Sequence, residues 1–186
     1  MNKFWGHLKT ITHHRHLVMR GCFRMGLIWQ GLTHDLSKYS PTEFLAGVRY
    51  YQGDRSPNTA EREANGYSLA WMHHKGRNRH HFEYWTDLSP KTRTYEPVDM
   101  PVRYLCEMVA DRIAACKTYQ GAAYTDASPL QYLDRANESR LVHPQTMKRL
   151  RFLLVMLAER GEKETFRFLR GVVLKGEPFA EEQPTP

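Results

Sequence analysis

Eight of the ten histidines in this 186-residue chain fall into three groups. His13, His14 and His16 form the first, His34 stands beside Asp35, and His73, His74, His80 and His81 form the third. Asp111 follows on a stretch with helical spacing. Imidazole nitrogens and carboxylate oxygens gathered from several helices are the donors a transition-metal site needs. They suit Fe, Mn, Ni or Zn and require no thiolate. The residues therefore point to one or two divalent transition metal ions as cofactor.

Such a site needs elements that bring distant segments together, and helix signals dominate the chain. Phe4, Leu8, Ile11, Val18 and Cys22 recur at helical spacing, which predicts one long or two abutting helices over 3–31 with breaks at Gly21 or Gly26. Ser40-Pro41-Thr42-Glu43 reads as a capping box with proline at the first helical position, opening a helix to about Gln52. Ser56-Pro57 starts another segment, which Gly66 divides before a short helix from Leu69 to Lys75. Residues 86–100, with Pro90 and Pro97, form the longest irregular stretch. Asp99 and Pro101 bracket a helix to about Tyr119, and Ser128-Pro129-Leu130-Gln131 repeats the capping logic. Pro144–Arg160 and Glu162–Leu174 read as an antiparallel helical hairpin with Gly161 between them. No run alternates as a strand would, and no repeat is present. The expectation is an all-α, single-domain helical bundle over 1–176, followed by a frayed acidic and proline-rich tail over 177–186.

Hydrophobic residues make up 41% and aromatics 12% of the chain, enough for a globular core and against disorder. A net charge of +7 attracts nucleotides, phosphate esters or nucleic acid without selecting among them, and also fits plain solvation of helix faces. From Lys148 to Lys175 the basic residues alternate with Glu159, Glu162 and Glu164, which favours a solvated face over a nucleic-acid track. Cys22, Cys106 and Cys116 are widely spaced and odd in number, so they read as buried free thiols. There is no signal-peptide pattern, and the longest apolar run is broken by Arg20 and Arg24. A cytoplasmic location with no membrane partner is expected. Oligomeric state is left open.

Three placements decide the chemistry. His34 and Asp35 directly follow an apolar helix, and Ser40 caps the next one, so both side chains sit at a helix end where neighbours can converge on one point. In mid-helix they would diverge by about 100°. An Asp there can bridge two metals while its His binds one, and Lys38 can neutralise a bound phosphate. His14 and His16 flank the apolar stripe of the first helix at similar angles, so either can reach an interior site, whereas His13 points away. Asp111 faces opposite the stripe of Val102, Leu105, Cys106, Val109, Ile113 and Cys116, but Tyr104, Met108, Ala114 and Ala115 surround it, so that side is also buried. A buried Asp must be paired or bind metal: Arg112 is the alternative partner, and Glu107, one turn earlier on the same face, could be its outer partner. Arg77 and Asn78, between the two histidine pairs, are placed to contact substrate. Trp71, Tyr84 and Trp85 read as core.

The order His, then His34-Asp35, then His74, His80 and His81, then Asp111 resembles the HD-domain metal-dependent phosphohydrolases, and His34-Asp35-Leu36-Ser37-Lys38 is similar to the HD-x-x-Lys form of that signature. His80-His81-Phe82-Glu83 is similar to the His-His-Glu element of the HD-GYP cyclic dinucleotide phosphodiesterases, without the Gly-Tyr-Pro and with Glu83 one residue late. A longer resemblance runs through 34–44, 70–81 and 100–111, to an uncharacterised bacterial and phage family described as a domain of unknown function. It carries no activity, but it implies His14 and His74 as the ligands of their groups. Together the resemblances imply an HD-like fold with His14, His34, Asp35, His74, His80, His81 and Asp111 as metal ligands.

The function these residues lead one to expect is a metal-dependent phosphohydrolase acting on a nucleotide or small phosphate ester, with nucleic acid not favoured. Lys38, Arg77 and Asn78 would hold the substrate. Two alternatives use the same donors: a di-iron oxygenase resembling myo-inositol oxygenase, and a non-catalytic binding module stitched by metal.

Overall fold

The computed structural model describes residues 2–136, 141–176, 178 and 179. Helix α1 (Lys3–Met25) opens with the Asn2 side chain accepting from the Phe4 amide. It closes at Gly26, whose φ of 84° turns its N–H back to Cys22 and Phe23. A left-handed residue without a Cβ ends a helix at little cost. Gly21 lies inside the helix and is a packing residue: a Cβ there would meet Ala110 Cβ at 3.0 Å.

Short helix α2 (Ile28–Thr33) and a 3-10 turn (Leu36–Tyr39) lead into α3 (Pro41–Tyr50). Then come α4 (Pro57–Asn65), closed by Gly66, and α5 (Leu69–Lys75), whose Trp71 amide donates to Ser68 Oγ. A 3-10 turn (Phe82–Tyr84) precedes a two-stranded antiparallel sheet, β1 (Thr86–Leu88) with β2 (Tyr95–Pro97), pairing Thr86 with Pro97. This hairpin corrects the expectation of an irregular stretch, although three-residue strands give no alternation to read. Helices α6 (Val102–Gln120), α7 (Ser128–Ala136) and α8 (Pro144–Lys175) complete the described residues. Ser128 begins α7 but does not cap it as expected, because its hydroxyl accepts from the Thr125 amide. Within α8, Gly161 (φ 76°, ψ 171°) reverses the chain, and the rings of Phe152 and Phe168 stand 5.7 Å apart across the turn. Most of the expected tail lies outside the described residues.

The fold is an all-α single-domain bundle. Val18, Cys22 and Met25 of α1 meet Leu105, Val109 and Ile113 of α6 and Leu150, Leu153, Leu154, Leu157 and Leu169 of α8. Each is buried, at roughly 1.5–3 kcal/mol for a large aliphatic side chain. All three cysteines are buried free thiols. Helix α3 packs on α1, α4 and α5, so α3 to α5 form a second layer on α1. The buried stripe of α1 is His7, Ile11, His14, Val18, Gly21, Cys22 and Met25, whereas Phe4 is 41% exposed. The stripe was thus expected too near Phe4, and it contains two histidines.

Candidate metal centre

His34 and Asp35 converge because of one backbone turn. Helix α2 stops at Thr33, and Asp35 adopts φ 54°, ψ 23°, the left-handed region that costs an ordinary residue about 1–2 kcal/mol and that Asp tolerates better than most. Arg15 on α1 fixes this turn by donating to the carbonyls of His34 and Leu32. Both side chains then point inward, buried to 2% and 1% exposure.

Around Asp35 the donors divide into two sets. On one side His14 Nε2 and His34 Nε2 lie 3.7 and 3.3 Å from Asp35 Oδ2, and 2.9 and 3.6 Å from Asp111 Oδ1. On the other, His74 Nε2 and His80 Nε2 lie 3.3 and 3.4 Å from Asp35 Oδ1, and His81 joins them. In each set the donor atoms lie within 4.8 Å of one another, so each set could hold a metal ion. Asp35 is shared, one oxygen to each.

The outer partners fix which nitrogen faces inward. Glu107 Oε1 lies 3.0 Å from His34 Nδ1 and 3.1 Å from His80 Nδ1, while its Oε2 accepts from Gln30 at 2.7 Å. Glu43 spans the layer above, with Oε2 2.7 Å from His74 Nδ1 and Oε1 2.7 Å from His73 Nδ1. A ring whose Nδ1–H is donated to a carboxylate presents the lone pair of Nε2, which is the arrangement of metal-ligating histidines. The Nε2 atoms of His14, His34, His74, His80 and His81 and both Asp35 oxygens are buried without an aligned hydrogen bond, although Lys38 stands against Asp35 Oδ2 and His14 Nε2 against Asp111. Buried polar atoms are rarely left so, and a cation in each of the two sets would engage them, one Asp35 oxygen to each.

The electrostatics agree. Burial alone would raise Asp35, but His34, Lys38 and His74 outweigh it and hold its pKa well below the usual carboxylate range. Asp111 is likewise lowered against burial by His14 and His34, and Glu107 falls to about 2 through His34 and His80. All three are therefore ionised at neutral pH. Burial disfavours charge on His34, yet Asp35, Asp111 and Glu107 overcome this and raise its pKa well above the ordinary value. Surroundings that hold a proton there would hold a metal cation in its place. Burial, with His80 and His74 beside it, drives His81 well below its usual pKa, and burial with Lys38 lowers His14.

All seven expected ligands meet at one place, and His14 is selected over His13 and His16, which are exposed. His74 is selected over His73, which is half-buried against Glu43. Lys38 reaches the centre, with Nζ 2.5 Å from Asp35 Oδ2, and lines an adjoining cavity of about 530 Å³. Arg77 does not: it is exposed and donates to the His73 carbonyl. Asn78 supports the site from behind, donating to Ser37 Oγ at 2.9 Å and the His74 carbonyl at 2.8 Å. Trp71 is cavity wall and not core, with its ring against those of His74 and His81 and Arg62 over it. Sequence reasoning missed Glu43, whose capping position concealed its contacts with His73 and His74.

A family model described as a family of unknown function (DUF5662) matches residues 3–156, and the chain belongs to that family. No curated protein and no solved structure matches the chain. No helix among the described residues is long and apolar enough to cross a membrane.

Proposed function

We propose that the chain is a metal-dependent phosphohydrolase acting on a nucleotide or another small phosphate ester. The observation that carries this reading is Asp35, one buried carboxylate shared by two donor sets beside a cavity of about 530 Å³. The HD-like order of His14, His34-Asp35, His74, His80, His81 and Asp111 supports it. Two divalent ions there would polarise a phosphoryl group and lower the pKa of water toward neutrality. Fe, Mn, Ni and Zn all suit the donors.

The chain's own residues supply the rest. Glu107 and Glu43 hold three rings with Nε2 turned inward. Lys38 places a positive charge at the cavity edge, where a phosphate oxygen would approach. Burial of Asp35 and the histidines keeps bulk water from competing for the donors. Donors that border a cavity also favour catalysis over a closed structural metal.

The test is metal content of protein purified without added metal, alongside the His34→Ala and Asp35→Ala variants, followed by assays of the loaded protein on phosphatase, pyrophosphatase and phosphodiesterase substrates. One or two equivalents of metal, lost in both variants, with hydrolysis of at least one ester, is the expected result. Loaded protein inert across the panel overturns the reading. A stoichiometric pair of irons with an oxygen-sensitive spectrum would redirect it to an oxygenase.

A further inference from the structure

The cavity is much larger than a phosphate requires. Pockets of about 300–1,000 Å³ suit ligands of drug size, and this one measures about 530 Å³. One wall is the inner face of α1, where His7, Thr10, Ile11 and His14 all line the space. Seven residues return a helix to nearly the same face, so His7 stands about 10 Å along the axis from His14.

His7 is an anomaly on that wall. It is only 5% exposed, and its Nδ1 is buried without a hydrogen-bond partner. Every other orphaned imidazole nitrogen among the described residues belongs to the two donor sets. The neighbouring polar group is already engaged, since Thr10 Oγ1 donates to the Gly6 carbonyl and lies 3.1 Å from the Tyr51 hydroxyl. The fold makes specific room for the ring: a Cβ on Gly47 of α3 would stand 2.1 Å from His7 Nε2. Phe44 and Tyr51 flank it, with ring centroids 5.3 and 6.0 Å away.

We propose that His7 is a specificity residue that hydrogen-bonds a neutral polar group on the organic part of the substrate, about 10 Å from a phosphate held at the donor sets. This rests on the phosphohydrolase reading and narrows it to phosphate esters of an extended, polar, uncharged alcohol. Burial, reinforced by Lys38, pushes the His7 pKa down to about 4, so the ring is uncharged at neutral pH. It then offers one N–H and one lone pair, suited to a hydroxyl, an amide or a heterocycle edge and not to a second phosphate. Trp71, Tyr119 and Tyr132 supply aromatic surface on the same cavity.

The experiment compares wild type, His7→Phe, His7→Asn and Gly47→Ala, each full-length and with metal content measured. The probes are phenyl phosphate, which ends short of His7, and the ribonucleoside 5′-monophosphates, which carry neutral polar groups at their far end. For the best nucleotide, His7→Phe should lower kcat/KM roughly tenfold more than for phenyl phosphate, mainly through KM. His7→Asn, which returns an amide near Nδ1, should recover part of the loss. Gly47→Ala displaces the ring without altering it and should lose in the same direction. Equal effects on long and short esters, or no effect on either, would overturn the role of His7 while leaving the phosphohydrolase reading intact. So would a wild type that does not prefer any nucleotide to phenyl phosphate. Loaded protein that hydrolyses no ester removes both.

Discussion

The two sides of α6 solve opposite problems. On one side, Leu105, Val109 and Ile113 join the apolar cluster with Val18, Cys22 and Met25 of α1 and the leucines of α8. On its other side, Glu107 and Asp111 meet His14 of α1, His34 just after α2 and His80 in the segment after α5, amid five imidazole nitrogens and two carboxylate oxygens without an aligned hydrogen bond. The aliphatic side is complete as it stands. The polar side carries a desolvation cost that its ion pairs offset in part and a bound cation would offset further. Substitutions on the two sides should therefore read out differently.

The largest effect should come from Asp35→Ala, which removes the carboxylate common to both sets. Metal analysis should show both equivalents lost, and an equivalent retained would mean that the sets are independent. On the other side, Leu154→Ala, at a fully buried position, should cost about 2–5 kcal/mol in denaturant unfolding while metal stoichiometry is unchanged. His7 gives a pH-dependent contrast. Its folded pKa of about 4 lies below the ordinary 6.5, so its contribution is complete above pH 6.5 and declines as pH falls toward 4. Metal-free protein should lose stability from this group as pH falls from 7 to 5, a loss that His7→Phe abolishes in urea titrations. An indirect effect belongs to Glu107→Gln, which lies against Nδ1 and not Nε2 of His34 and His80 and so weakens the hold on both rings. Metal affinity should fall about 10–100-fold by competition with a chelator, with unfolding of the metal-free protein changed far less.

Much of this division was legible in the residues. Gly26, Gly66 and Gly161 and the Ser-Pro starts mark helix ends by local backbone chemistry, which needs no tertiary context. The His34-Asp35 adjacency similarly announced a helix terminus. What the wheel could not decide was His14 against His16, because the choice depends on where α6 and α3 pack and not on α1 itself. Glu43 shows the same limit. Its amide meets Ser40 Oγ as the capping pattern requires, at 3.5 Å, yet its carboxylate serves His73 and His74 on another helix. Arg77 was placed by proximity in sequence to two ligand pairs, but the turn after α5 sends it outward. Three-residue strands carry too few positions for any periodicity to register.

The His34–Glu107 contact joins residues 73 positions apart. Closing a flexible loop of that length costs roughly 4 kcal/mol in chain entropy, before any constant term. No local segment can assemble the centre ahead of the rest: α1, the turn after α2, α5 and α6 must already be docked for Glu107 to reach both rings. The donor arrangement is therefore a property of the completed topology, and a nascent chain can assemble it only after α6 has emerged and packed.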